Sequence, residues 1–176
     1  MNAIHEAQRE AHRRDDGLVL VCSIGGKPQV ATFALDALLR QGVNVKRLHA
    51  VHLSTDDPRL KRSIDILRAQ FATHPPYVQR GISFESVPIR PVRQITDAGH
   101  PVYGKPMMRI DDQAAPDAIW MTFNGLIVRL KTEGMAVALC VMGGPRLIGL
   151  QALSAASGHV FARRPMLASV HARRHP

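Results

Sequence analysis

A chain of 176 residues with 45% apolar and 21% charged side chains suits one globular core, and no apolar run approaches the roughly 20 residues a membrane-spanning helix needs. Its 23 Lys and Arg against 14 Asp and Glu leave a formal charge of +9, which concentrates polyanions and points to a phosphate-bearing partner. Aromatic residues are only 5%, too few for a stacking platform, so a small phosphorylated ligand is expected rather than a stable complex with long nucleic acid.

Residues 1–16 read as a polar leader, flexible or helical, with no stretch resembling a signal peptide, and a cytoplasmic location is expected. Residues 17–176 then read as one domain. Leu18 to Cys22 is an unbroken apolar run, the pattern of a strand buried on both faces of a parallel sheet. Pro28 opens a helix with Val30, Phe33, Ala34, Ala37 and Leu38 at helical spacing, and Gly42 stops it. Val45 to Leu53 is a second strand. Asp57 caps the next helix and Pro58 starts it, with Leu60, Ile64, Leu67 and Phe71 in one stripe.

Ile82 to Ile89 alternates as a third strand, and Arg90 to Asp111 reads as a long loop without periodicity, a lid or a surface insertion. A helix is predicted from Asp112 to Lys131, burying Ile119, Phe123, Leu126, Ile127 and Leu130 and ending at Gly134. Met135 to Met142 is a fourth strand, Pro145 to Ser157 a helix ended by Gly158, and Met166 to Val170 a last, edge strand. This order predicts an α/β, Rossmann-like domain with a mainly parallel sheet and helices on both faces. Cys22 and Cys140 both fall in apolar runs, where a thiol acts as a small hydrophobe; neither a disulfide, a metal nor a cofactor is expected.

In such a sheet ligands bind outside the carboxyl ends of the strands, where glycine turns expose N–H groups and helix N-termini add positive potential. Two segments have that design. Ser23-Ile24-Gly25-Gly26-Lys27-Pro28-Gln29 follows the first strand, and Gly143-Gly144-Pro145-Arg146 follows the fourth, each bringing one cation to one helix start. Tight turning alone also explains a Gly-Gly pair. Neither turn is a phosphate-binding P-loop or a dinucleotide fingerprint. Ser54 and Thr55, at the end of the second strand, offer hydroxyls to a ribose.

The stretch VLVCSIGGKPQVATFALDALL resembles the opening of CARF domains, a strand running into a Gly-x-x-Pro-Gln type turn and a helix. ALCVMGGPRLIGLQALSAASGHVFARRP resembles their second signature, and with Asp111 and Asp112 the pattern is similar to the stand-alone ring-nuclease group of CRISPR-associated proteins. The resemblance spans most of residues 18–171, with 90–110 the least matched. It implies a homodimer holding cyclic oligoadenylate, cyclic tetra-adenylate in particular, in a shared two-fold pocket and cleaving it without metal. In-line attack by a ribose 2′-hydroxyl would leave a 2′,3′-cyclic phosphate.

On that reading Ser23, with the N–H groups around Ile24, Gly25 and Gly26, holds a phosphate, and Lys27 and Arg146 neutralise charge developing at phosphorus. Gln29, Ser54, Thr55, Gly143, Gly144 and Pro145 complete the binding surface. This chain has Pro145-Arg146 where the family usually has a lysine, and Lys27 where many relatives carry a small residue. His52 and His100 are the candidate bases. The alternatives are a CARF sensor without cleavage and a basic Rossmann-like module for RNA or DNA. Arg-to-His spacings like those of HEPN ribonucleases occur at Arg68/His74, Arg93/His100 and Arg164/His171, too often in so basic a chain to be informative.

Overall fold

The computed structural model describes residues 17–110 and 114–160. In chain order these form β1 (Leu18–Ser23), α1 (Gln29–Arg40), β2 (Val45–His52), α2 (Pro58–Thr73), α3 (Pro75–Gln79), β3 (Ser83–Pro88), β4 (Val92–Ile95), β5 (Pro101–Tyr103), α4 (Ala115–Thr132), β6 (Ala136–Cys140) and α5 (Arg146–Val160). Strands β3-β2-β1-β6 make one sheet, every pair parallel. This is the predicted α/β, Rossmann-like architecture. The chain winds outward from β1 through β2 to β3 and then crosses to β6 on the other side, so the switch point of the sheet lies between β1 and β6.

Alternation along β1 divides the interior into two cores. Leu18, Leu20 and Cys22 face α1 and α2, where they meet Leu35, Leu60, Ile64, Leu67 and Phe71. Val19 and Val21 face the opposite layer, made by Ile119, Phe123, Ile127 and Leu130 of α4 and by Ile148, Ala152 and Ala155 of α5. All six residues of β1 are buried, as a central parallel strand requires. The stripes expected on α2 and α4 are therefore the buried ones. Asp57 caps α2 as predicted, accepting from Arg59 N–H at 2.8 Å, and Gly42 and Gly134 end α1 and α4 with φ of 77° and 80°. No helix among the described residues is long and apolar enough to cross a membrane.

Several expectations need correction. The buried face of α1 is Ala31, Thr32 and Leu35, whereas Phe33 is 69% exposed. Two residues turn a helix of about 3.6 residues per turn to nearly its opposite side, and the run VATFALDALL is too uniformly apolar for periodicity to choose the face. Over its described residues, 90–110, the segment expected as a long loop is not irregular throughout: Val92–Ile95 and Pro101–Tyr103 pair as an antiparallel hairpin, hidden from pattern reading because both strands are short and mostly exposed. The helix α3 was not foreseen. It spans five residues, opened by Pro75 and Pro76, and carries Tyr77 into the core beside Phe71, where its hydroxyl donates to Asp36 at 2.8 Å.

The last described helix runs through Gly158 to Val160 without a left-handed residue there, so Gly158 does not end it. Met166 to Val170, the leader 1–16 and Asp111 and Asp112 lie outside the described residues. Cys22 is buried as expected, but Cys140 is only half-buried, and the two are register partners on β1 and β6.

Two histidines on β2 are enclosed by the sheet and its cover. His49 is fully buried, with Nδ1 3.3 Å from Glu85 Oε2 but neither ring nitrogen in hydrogen-bond geometry. Burial holds its pKa below the usual value, with Arg129 and Arg47 assisting and Glu85 and Glu133 opposing. His52 donates from Nδ1 to the Leu53 carbonyl and accepts at Nε2 from Ser86 Oγ at 2.6 Å, and burial lowers its pKa as well. Both rings are neutral in the fold. An unfolded chain takes up protons near pH 6.5 that the native one refuses, so stability is complete above that pH and is lost as the pH falls below it. Urea unfolding from about pH 7.5 down to 5 should show stability falling by up to about 1.4 kcal/mol per pH unit for each histidine. A His49→Leu variant should show a shallower slope, and an unchanged slope would contradict this assignment.

Candidate functional site

The two glycine turns meet at the switch point, at the carboxyl ends of β1 and β6. Beyond Ser23 the chain stays with the sheet for one more residue, because Ile24 N–H donates to the Val51 carbonyl at 2.8 Å. It then turns through Gly25, Gly26 and Lys27 into α1. The other strand leaves through Met142, Gly143, Gly144 and Pro145 into α5, whose first turn is closed by Ile148 N–H on the Pro145 carbonyl at 3.0 Å.

Main chain packs on main chain here. Ser23 Oγ donates to the Gly143 carbonyl at 2.6 Å, a buried bond between residues 120 apart in sequence. A β-carbon on Gly143 would overlap the Ser23 carbonyl, and one on Gly25 would lie 2.9 Å from both Cα and N of Gly144. Gly144 has φ of 80°, a conformation costly for any side chain. Three of the four glycines are thus required by the fold. Gly26 is the exception: it is exposed, its φ is not positive, and a β-carbon there would meet nothing within 4 Å.

This geometry sorts the predicted residues. Lys27, Gln29, Gly144, Pro145 and Arg146 are exposed around the junction. Neither Lys27 nor Arg146 makes an ion pair with any described residue. Helix α1 has no side-chain cap and no acid in its first turn, and α5 has no acid in its first turn, in contrast to α2 with its Asp57. Among the described residues, two helix N-termini thus present positive ends with no acid in their first turns, beside two cations that make no ion pair.

Other residues take different parts from those expected. Ser23 is fully buried and its proton is committed to Gly143, so it fastens the turns rather than facing a phosphate. The Ile24 side chain, 1% exposed, belongs to the core, and its N–H is spent on β2. Gly143 is buried against Ser23. Ser54 is turned inward: its hydroxyl donates to Asp56 Oδ2 at 2.9 Å and accepts from Asp56 N–H, while its own N–H donates to Met107. Thr55 stays half-buried at the end of β2. His52 is locked between β2 and β3, and His100 is exposed on the hairpin connection, so neither stands at the junction as a base.

The hairpin adds cations that pattern reading passed over. It springs from the carboxyl end of β3, and the chain then returns to the sheet ends, with Met107 N–H on Ile89 O and Ser54 N–H on Met107 O. Arg90, Arg93, Lys105 and Arg109 are all exposed on this excursion, against the single acid Asp97. Their signal was present in the sequence as charge density within a segment lacking periodicity.

Residues 27–162 match the model of a protein family described as CRISPR-associated protein NE0113 (Cas_NE0113). The match takes in Lys27, the hairpin and the whole second turn. Among solved structures, protein VC1899 from Vibrio cholerae is similar at 18% identity with a TM-score of 0.49, over 81% of this chain. The chain spans 28% of the length of that protein. No curated protein matches the sequence.

The interlock makes a graded prediction for glycine replacements, measured by denaturant unfolding. Gly143→Ala should cost on the order of 1–3 kcal/mol or more through overpacking, and Ser23→Ala about 1–3 kcal/mol by leaving the Gly143 carbonyl unpaired. Gly26→Ala should be neutral or slightly stabilising. Equal losses at residues 26 and 143 would contradict the backbone contact.

Proposed function

The chain belongs to the CRISPR-associated NE0113 family, and on that premise we propose that it binds cyclic oligoadenylate, cyclic tetra-adenylate in particular, and cleaves it, switching off type III CRISPR signalling. The observation that carries this reading is the junction of the two turns. Lys27 and Arg146, both unpaired among the described residues, stand at two helix N-termini on one rim of the sheet. An anion reaching that rim gains from the amide dipoles and from both side chains. Gly26 supports the same reading, since the fold does not need its missing side chain, and open space above it admits close approach of a ligand.

Cleavage requires little more than positioning. The ribose 2′-oxygen attacks its adjacent phosphorus, the bond from phosphorus to the 5′-oxygen breaks, and the 2′-hydroxyl proton ends on that leaving oxygen. Lys27 and Arg146 stabilise the charge on the pentacoordinate phosphorus, the point charge of an ammonium beside the fork of a guanidinium. A homodimer doubles the set of cations around a cyclic ligand. Met142, 81% exposed, and Leu150 and Leu153, one turn apart on the outer side of α5, offer apolar surface for a second copy beside the second turn.

Binding without cleavage is the second reading. It is favoured by the commitment of Ser23 to Gly143 and of His52 to Ser86, which takes both groups away from proton handling at the rim. Incubating the chain with cyclic tetra-adenylate and separating the products by chromatography distinguishes the two. Linear oligoadenylate with 2′,3′-cyclic phosphate ends is expected, and an intact, bound ring would leave only the sensor. Lys27→Ala and Arg146→Ala should each weaken binding by about tenfold or more while leaving the unfolding midpoint unchanged. Unaltered binding in both variants, or displacement of the ring by long RNA at equal mass, would overturn the site.

A further inference from the structure

We propose that Cys22 and Cys140 form a peroxide-sensitive dithiol beneath the rim, closing reversibly to a disulfide between β1 and β6. The two residues are register partners in adjacent parallel strands and both side chains belong to the core on the α1/α2 face. Neighbouring strands run about 4.8 Å apart, inside the range of roughly 4.4–6.8 Å between the Cα atoms of a disulfide. The two thiols also differ in kind. Cys22 is fully buried and donates a hydrogen bond to the Cys140 sulfur, which together with burial pushes its own pKa well up. Cys140 is half-buried, and the bond from Cys22, with a further one from the Met142 N–H, holds its pKa down to about 6. Exposure sets their roles: the half-buried Cys140 is the sulfur an oxidant reaches, and the fully buried Cys22 beside it is the one that resolves it.

The chemistry balances with a hydroperoxide as oxidant. The Cys140 thiolate attacks one oxygen of hydrogen peroxide, the O–O bond breaks, and with one proton taken up the products are a sulfenic acid and water. The Cys22 sulfur then attacks Cys140 Sγ as its proton leaves, the S–O bond breaks, and a second water departs. Two thiols lose two electrons and the peroxide gains them. The location gives the reaction a consequence that rests on the anion-binding reading. Cys22 precedes the Ser23 that fastens the turns, and Cys140 occupies the Met142 N–H at the start of the second turn. Oxidation draws the Cys140 sulfur toward Cys22 and frees the Met142 amide at the start of the second turn, so the oxidised chain holds an anion more tightly.

The test exposes the reduced 176-residue chain to stoichiometric hydrogen peroxide at neutral pH, followed by alkylation and peptide mass mapping. Alkylatable thiols should fall from two to none with a Cys22–Cys140 cross-linked peptide, reversed by dithiothreitol. A Cys22→Ser variant should instead carry a sulfenic acid on Cys140 that dimedone captures. Two thiols still alkylatable after peroxide, or sulfinic acid on Cys140 of the unaltered chain without cross-link, would overturn the proposal. Cyclic tetra-adenylate binding is then compared between oxidised and reduced chain: tighter binding by the oxidised form is expected, and equal binding would overturn the coupling. The cross-link is read by mass alone, so a chain that cross-links but never binds the ring refutes the ligand and not the dithiol.

Discussion

Where β1 and β6 leave the sheet, two lengths of main chain touch with no side chain between them. That contact needs a glycine at 25 and 143, a left-handed residue at 144 and a hydroxyl at 23 whose proton has nowhere to go but the Gly143 carbonyl. Each requirement is local, but the result is long-range: α1 and α5, which lie on opposite faces of the sheet, begin from one shared point. A separation of even one side chain would move the two helix starts apart and with them Lys27 and Arg146. The rim is therefore a product of backbone packing, and its cations are passengers on it.

The charge distribution follows from the same arrangement. A parallel sheet directs every helix N-terminus toward the carboxyl ends of its strands, so positive potential accumulates there before any lysine or arginine is added. In this chain the helix between β2 and β3 has its own acid, Asp57, while the two helices at the switch point have none. The hairpin then lays four more cations beside the far end of the same edge. On the flank of the sheet two arginines are paired: Arg47 meets Glu133 at 2.8 Å and Arg129 meets Glu85 at 3.2 Å. Among the described residues Lys27 and Arg146 at the rim make no such pair, which leaves both side chains available to an anion.

Much of this was legible from residues alone, for reasons that can be traced. The unbroken run Leu18–Cys22 announced a strand buried on both faces, and the stripes Leu60-Ile64-Leu67-Phe71 and Ile119-Phe123-Ile127-Leu130 announced the two covering layers. The glycine turns were visible as punctuation, and their meeting follows from the order of the strands. The orientation of hydroxyls was beyond pattern reading: Ser23 and Ser54 look equally available in a sequence, and only the fold shows that one donates across to Gly143 of the other turn and the other to Asp56. The same holds for Phe33 on a helix apolar all round, and for the hairpin, whose strands carry no alternation because neither face is buried. The neighbouring thiols were hidden by distance, since 118 residues separate them and register alone brings them side by side.

Anion binding depends on the rim formed by the two turns, and amide resonances of the turns report on it directly. In a nitrogen-15 labelled chain titrated with cyclic tetra-adenylate, the backbone signals of Gly25, Gly26, Lys27, Gly144 and Arg146 should move together and saturate with one affinity. Shifts confined to other surfaces, or none at ligand concentrations that saturate binding, would contradict it.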